Sequence, residues 1–136
     1  MAKKKKTLPK LKYDLQQVFN KYIRLRDMQG NYFKCIACGE VKPKEVCNAG
    51  HFYAVKGYDS LRFNEDNVHA ECVGCNCFNE SHLIGYAINL KEKIGEERIE
   101  ELHRLDADYK KNGYKWHRID LEEMIAEYKE KIKCLS

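Results

Sequence analysis

Residues Cys35 to Cys75 read CIACGEVKPKEVCNAGHFYAVKGYDSLRFNEDNVHAECVGC, and this stretch decides the fold. Two Cys-x-x-Cys pairs close its ends: Cys35 with Cys38, and Cys72 with Cys75. Two thiolates three positions apart can share one metal ion on a tight turn. Two such turns complete a tetrahedral four-cysteine site, which has no open position and is therefore structural. Gly39 follows the first pair, where a tight turn favours a residue that tolerates positive φ. Thirty-three residues separate the pairs, more than a plain zinc ribbon needs, so something is built between them. That insert carries His51, Asn67 and His69, and Asn76 follows the last cysteine directly.

Composition narrows the class. A chain of 136 residues suits one domain with a modest core. Charged residues make up 34% of it, and no apolar run approaches membrane length. There is no secretory h-region, so seven cysteines point to a reducing compartment and to metal rather than to disulfides. Cys47 and Cys134 read as small core residues, and Cys77 is near enough to the second pair to be an alternative ligand. Lys3, Lys4, Lys5, Lys6, Lys10 and Lys12 bring six positive charges without an acid, against a net charge of +4 for the chain. A basic arm on a near-neutral body suits a polyanion such as DNA, and it equally suits a solubilising tail. Residues 1–8 are expected to be a disordered arm, with a single domain over 9–136.

Around the insert the pattern is helical. Leu11, Leu15, Val18, Phe19 and Tyr22 predict an amphipathic helix over 10–28, capped by Gly30. Val41–Phe52 and the return through Leu61, Phe63 and Val68 predict a short strand pair. Tyr53–Ser60 reads as a loop offering Lys56 and two tyrosines to a partner. Leu83, Ala87, Leu90 and Ile94, flanked by Ile84 and Ile88, predict a helix after an N-cap at Ser81. Ile99, Leu102 and Leu105 predict another, closed by the Asn112-Gly113 turn. Asp120 and Glu123 form a capping-box pattern before a last helix over Leu121–Ile132. The helices over about 82–134 are expected to wrap the zinc module, placed at about 31–82. The class is α+β.

The insert suits phosphodiester hydrolysis. That reaction needs a base to activate water and a divalent cation at the leaving oxygen. A histidine has the right pKa for the first task, and an amide or carboxylate oxygen suits Mg²⁺ or Mn²⁺ for the second. Lys56 and Arg62 read as phosphate contacts. Trp116 reads as a core anchor, and His82, His103 and His117 as surface residues.

Cys35-x-x-Cys38, Gly50-His51, Asn67 and Cys72-x-x-Cys75-Asn76 resemble the HNH, or ββα-metal, endonucleases that carry a four-cysteine zinc. More closely, AGHFYAVKG (49–57), LRFNEDNVHAEC (61–72) and CNCFNES (75–81) resemble the phage lambda NinG (Rap) recombination protein family. The likeness continues more weakly through IGYAINLKEKIG (84–95). It implies a zinc-stapled ββα-metal module flanked by an N-terminal helix and C-terminal helices. It also implies a metal-dependent endonuclease for branched recombination intermediates, D-loops or Holliday-type junctions, in the cytoplasm of a bacterial host. In that reading His51 is the general base and Asn67 orients it. Asn76 ligates a catalytic Mg²⁺ or Mn²⁺, and Glu80 could face the same ion. The implied partners are branched or double-stranded DNA and a second copy of the chain, with no membrane and no nucleotide cofactor. The family's usual ligand just before the base is replaced by Gly50. Either Asn48, Asp66, His69 or Glu71 supplies it, or His51 itself binds the metal and the base lies elsewhere. That departure also admits a second reading, a non-catalytic zinc module that binds DNA through its basic arm.

Overall fold

The structure, a computed structural model, describes residues 4–135. It is α+β, with five helices and two small antiparallel sheets among the described residues. Helix α1 runs over Leu8–Asp27, starting within the stretch expected to form the arm. Thr7 starts it by accepting a hydrogen bond from the Lys10 amide, and Pro9 sits in the first turn, where its missing N–H costs nothing. Lys3 lies outside the described residues, whereas Lys4 and Lys5 are exposed and Lys6 pairs with Asp14.

The helix does not run on to Gly30. The chain turns extended at Met28, and Gly30 instead makes the turn of a small hairpin. Strands β1 (Met28–Gln29), β2 (Tyr32–Lys34) and β3 (Val41–Pro43) form a sheet in that order. The first cysteine turn is the β2–β3 connection, so Pro43 ends an edge strand rather than breaking one.

Strands β4 (Cys47–His51) and β5 (Val68–Cys72) form the expected pair, with Gly50 opposite His69 and Asn48 opposite Glu71. The return strand is shorter than expected. Leu61 closes a 3₁₀ turn and Phe63 packs from a loop, so β5 begins only at Val68. Successive residues of a strand face opposite ways. Asn48, Gly50, His69 and Glu71 therefore share one face of the pair, and Ala49, His51, Val68 and Ala70 the other.

Helix α1 covers the second face, where Leu11, Leu15, Phe19 and Ile23 pack with Phe63, Val68, Trp116, Leu121 and Tyr128. Trp116 is buried there and donates its indole N–H to the Asp59 carbonyl at 3.1 Å. Short α2 (Val73–Phe78) leads from the second cysteine turn, and α3 (His82–Ile94) covers the first face. The inward residues of α3 are Tyr86 and Leu90, whereas Ile84 and Ile88 are 69% and 62% exposed. Of the expected face, Leu90 goes inward and Ile94 packs against the core, whereas Leu83 and Ala87 are exposed. α4 (Glu96–Asn112) buries Leu102, and α5 (Arg118–Leu135) packs along α1. Asp120 sits inside the first turn of α5 rather than capping it. Of the C-terminal helices, α3 lies against the cysteine turns; α5 braces the far side of α1.

α3 comes close to the first cysteine turn because residue 85 is glycine. A Cβ there would lie 2.1 Å from the Ala37 carbonyl oxygen. Asn89, one turn on, donates to the Ile36 and Ala37 carbonyls at 2.9 and 3.3 Å. These bonds pair carbonyls that a tight turn leaves without strand partners.

Candidate metal centre and adjoining histidine site

The two cysteine turns meet at one end of the β4–β5 pair. The sulfurs of Cys35, Cys38, Cys72 and Cys75 all lie within 4.8 Å of one another. An ion bonded tetrahedrally to four sulfurs at about 2.3 Å separates them by about 3.8 Å, so this cluster can hold a metal such as zinc. The Cys35 sulfur also accepts from the Cys38 and Cys72 amides at 3.5 and 3.2 Å. Burial and the neighbouring thiols push the Cys75 thiol up strongly. Four adjacent thiols cannot all ionise unaided, and a divalent cation supplies the missing charge. Cys77 is exposed and outside the cluster, within 3.6 Å of the Asn48 amide. Cys134 is exposed rather than a core residue.

His51 stands at the other end of β4, paired with Val68. Its Nε2 lies 3.1 Å from the Arg62 carbonyl. A carbonyl only accepts, so the ring proton sits on Nε2 and Nδ1 keeps its lone pair. Burial holds the ring below the ordinary histidine range, assisted by the nearby Arg62 charge, so it is neutral at pH 7. Gln16, on α1, lies 3.5 Å from Nε2 and accepts from the Arg62 Nε at 2.8 Å. Arg62 also pairs with Asp59, so its guanidinium is held by the protein. Gln16 was not singled out from sequence, although a buried glutamine amid an apolar stripe is a signal of a polar contact.

Asn67 is fully buried and ties down the loop that carries Arg62. Its Oδ1 accepts from the Tyr53 amide at 2.7 Å, and its Nδ2 donates to the Tyr53 and Leu61 carbonyls at 3.0 and 3.1 Å. Tyr86 was also missed. Its hydroxyl donates to the Gly50 carbonyl at 2.7 Å, fixing the strand just before His51. Lys56 is exposed, whereas Tyr53 and Tyr58 are half-buried, their rings packed together. Asn76 lies on α2 and Glu80 is exposed after it; neither makes a side-chain hydrogen bond among the described residues. Val68 precedes Cys72 by four residues, so about 13 Å of strand separates the histidine end from the cysteine end.

The four residues that could replace a ligand at position 50 differ in what occupies them. Asp66 is paired with Arg98. His69 is buried, accepts from Arg26 at Nδ1 and donates from Nε2 to the Asp66 carbonyl at 2.8 Å. Burial, then the Lys93 charge, pushes its pKa down to about 3, so both ring nitrogens are committed in the neutral form. Asn48 is half-buried beside Cys77. Glu71 is fully buried, and its Oε2 meets His82 Nδ1 at 2.6 Å. Burial raises its pKa, partly offset by His82. Its Oε1 has no hydrogen-bond partner among the described residues. His82 is thus a half-buried member of this cluster rather than a free surface residue.

Over residues 1–136 the chain matches the family described as Bacteriophage Lambda NinG protein. It belongs to that family. Protein ninG of Escherichia phage lambda is 33% identical over 120 residues, covering 88% of this chain and 54% of that protein. Protein ninG of Salmonella phage P22 is also 33% identical, over 88% of this chain and 55% of its own length. The NinG protein of Escherichia phage 933W is 32% identical with the same coverage. The chain spans about half the length of the curated NinG relatives it matches. No solved structure matches it. No helix among the described residues is long and apolar enough to cross a membrane.

Proposed function

We propose that this NinG-family chain is a metal-dependent, structure-selective DNA endonuclease acting on branched recombination intermediates in the host cytoplasm. The observation that carries the reading is His51. It is a neutral imidazole of fixed tautomer, at a strand end braced by Asn67 and Tyr86, with Nδ1 left as the base nitrogen. Its depressed pKa keeps it unprotonated at neutral pH, as proton abstraction from water requires. The cysteine cluster holds the same strand pair at its far end, which suits a structural Zn²⁺. Mg²⁺ or Mn²⁺ would neutralise the leaving oxygen when bound, with Asn76 and Glu80 as oxygen donors on the α2 side. Lys4, Lys5 and Lys56 are exposed cations suited to phosphate, and Lys3 would join them. Cutting two strands of a junction symmetrically favours a homodimer.

The test is cleavage of branched and linear DNA by the zinc-loaded chain with Mg²⁺ or Mn²⁺. His51→Ala is expected to abolish cleavage with folding and zinc content unchanged. Cleavage at the wild-type rate removes His51 from the mechanism. The second reading is the non-catalytic zinc module, favoured by the glycine at position 50. DNA binding without cleavage by the wild-type chain selects it.

A further inference from the structure

Glu71 and Gly50 fit together in an unusual way. A Cβ built on Gly50 would lie 2.1 Å from Glu71 Oε1, 2.9 Å from its Cβ and 3.0 Å from its Cδ. The glutamate, reaching diagonally from the neighbouring strand, fills the space that a side chain at residue 50 would use. Its carboxylate therefore ends beside the residue that precedes His51. One oxygen faces His82, the first residue of α3, and the other is buried without a hydrogen bond among the described residues. A buried carboxylate oxygen left unpaired is costly. Such an orphan needs a reason, and an ion is one.

We propose that Glu71, through both carboxylate oxygens, holds a hard divalent cation beside Gly50 together with His82. This rests on the nuclease reading for its purpose, though not for its geometry. A carboxylate and an imidazole suit Mn²⁺, and Mg²⁺ keeps water in its remaining positions. The pair is 2.6 Å apart, and two ligand atoms at right angles on one ion stand about 3 Å apart, so a small rotation of His82 admits the ion in place of the shared proton. His82 keeps 19% of its side chain open to solvent, which gives the ion its entry. Two of the three competing candidates are occupied, Asp66 by Arg98 and His69 by Arg26 and a carbonyl; the third, Asn48, lies by Cys77, to which its amide donates. Glu71 thus supplies from β5 the ligand that Gly50 cannot supply from β4.

The experiment titrates Mn²⁺ into the zinc-loaded full chain and maps paramagnetic broadening of its NMR signals. Broadening centred on residues 50, 71 and 82, and a Glu71→Gln variant that binds Mn²⁺ at least about tenfold more weakly, are expected. Broadening centred elsewhere, no Mn²⁺ binding, or wild-type affinity in Glu71→Gln overturns the site. The wild-type map decides even if the variant fails to fold. Cleavage measured on the same samples separates the two ideas. Mn²⁺ held at Glu71 by a chain that cuts no DNA keeps the site and removes the nuclease. Cleavage with Mn²⁺ held elsewhere keeps the nuclease and removes the site.

Discussion

Replacing Gly85 by Ala tests whether α3 clamps the metal centre. The new Cβ would sit 2.1 Å from the Ala37 carbonyl oxygen, a backbone atom that cannot swing aside. An ordinary carbon–oxygen contact needs about 3.3 Å, so helix and cysteine turn must part by about 1 Å. Overpacking of this kind costs roughly 1–3 kcal/mol. The two bonds from Asn89 to the same turn stretch with it, and each is worth about 1 kcal/mol. Alanine gains back about 1 kcal/mol of helix propensity. The net is a loss of about 2 kcal/mol, or a fall of about 5–10 °C in melting temperature. Gly74→Ala is the matched control, because its Cβ would meet nothing closer than the Cys72 sulfur at 4.0 Å. It should be neutral or stabilising by up to about 1 kcal/mol. Thermal melts of the zinc-loaded proteins, with the rate of zinc transfer to a chromogenic chelator, read both effects. Displacing the first turn by about 1 Å exceeds the tolerance of about 0.2 Å of a metal–ligand bond, so Gly85→Ala should also lose zinc faster. A Gly85→Ala protein as stable as wild type, with unchanged zinc transfer, refutes the clamp.

Three further outcomes follow from the geometry. Cys72→Ser should lose its metal and unfold, because structural zinc contributes folding energy directly; a zinc-loaded variant melting normally sinks the four-sulfur assignment. Asn67→Ala removes three side-chain bonds to the 53–61 loop and should cost about 3 kcal/mol, with faster hydrogen exchange at the Tyr53 amide; unchanged exchange there contradicts the bracing role. Stability should fall in mild acid. His69 is neutral in the fold with a pKa of about 3, below an unfolded value near about 6.5. Its contribution is therefore complete above about pH 6.5 and is lost as the pH drops toward 3. Between pH 7 and 5.5 the loss from this ring is about 1 kcal/mol, readable by urea melts and absent in His69→Gln.

The cysteine turns were legible because their spacing is a chemical requirement, independent of packing. The helices were legible where one apolar stripe dominates, as on α1. α3 misled because it carries two stripes. Counting apolar residues selects the face of Leu83, Ala87, Leu90 and Ile94; Leu90 does go inward, yet Leu83 and Ala87 stay exposed and Tyr86 takes the inward place, its hydroxyl on the Gly50 carbonyl. The three-stranded sheet was hidden because strands of two or three residues are too short to show a period. Asn67 stood out by its motif; its three backbone partners could be found only once the loop had closed around it.

Gly50 shows most plainly where a linear reading stops. In sequence it is a missing ligand, and Glu71 is one of four acids, amides or rings nearby. The register that sets Asn48 opposite Glu71 and Gly50 opposite His69 makes them a single feature. A side chain at 50 would require the glutamate to leave, and the glutamate at 71 requires residue 50 to stay glycine. Substitution at either position alone should therefore be poorly tolerated. Gly50→Asp by itself should destabilise the strand pair by overpacking, by roughly 1–3 kcal/mol. The same change combined with Glu71→Gly removes all three of the closest contacts and should recover most of that loss. If the two changes are simply additive in urea melts, the residues are not sharing one space, and the argument that the strands exchanged a carboxylate fails with it.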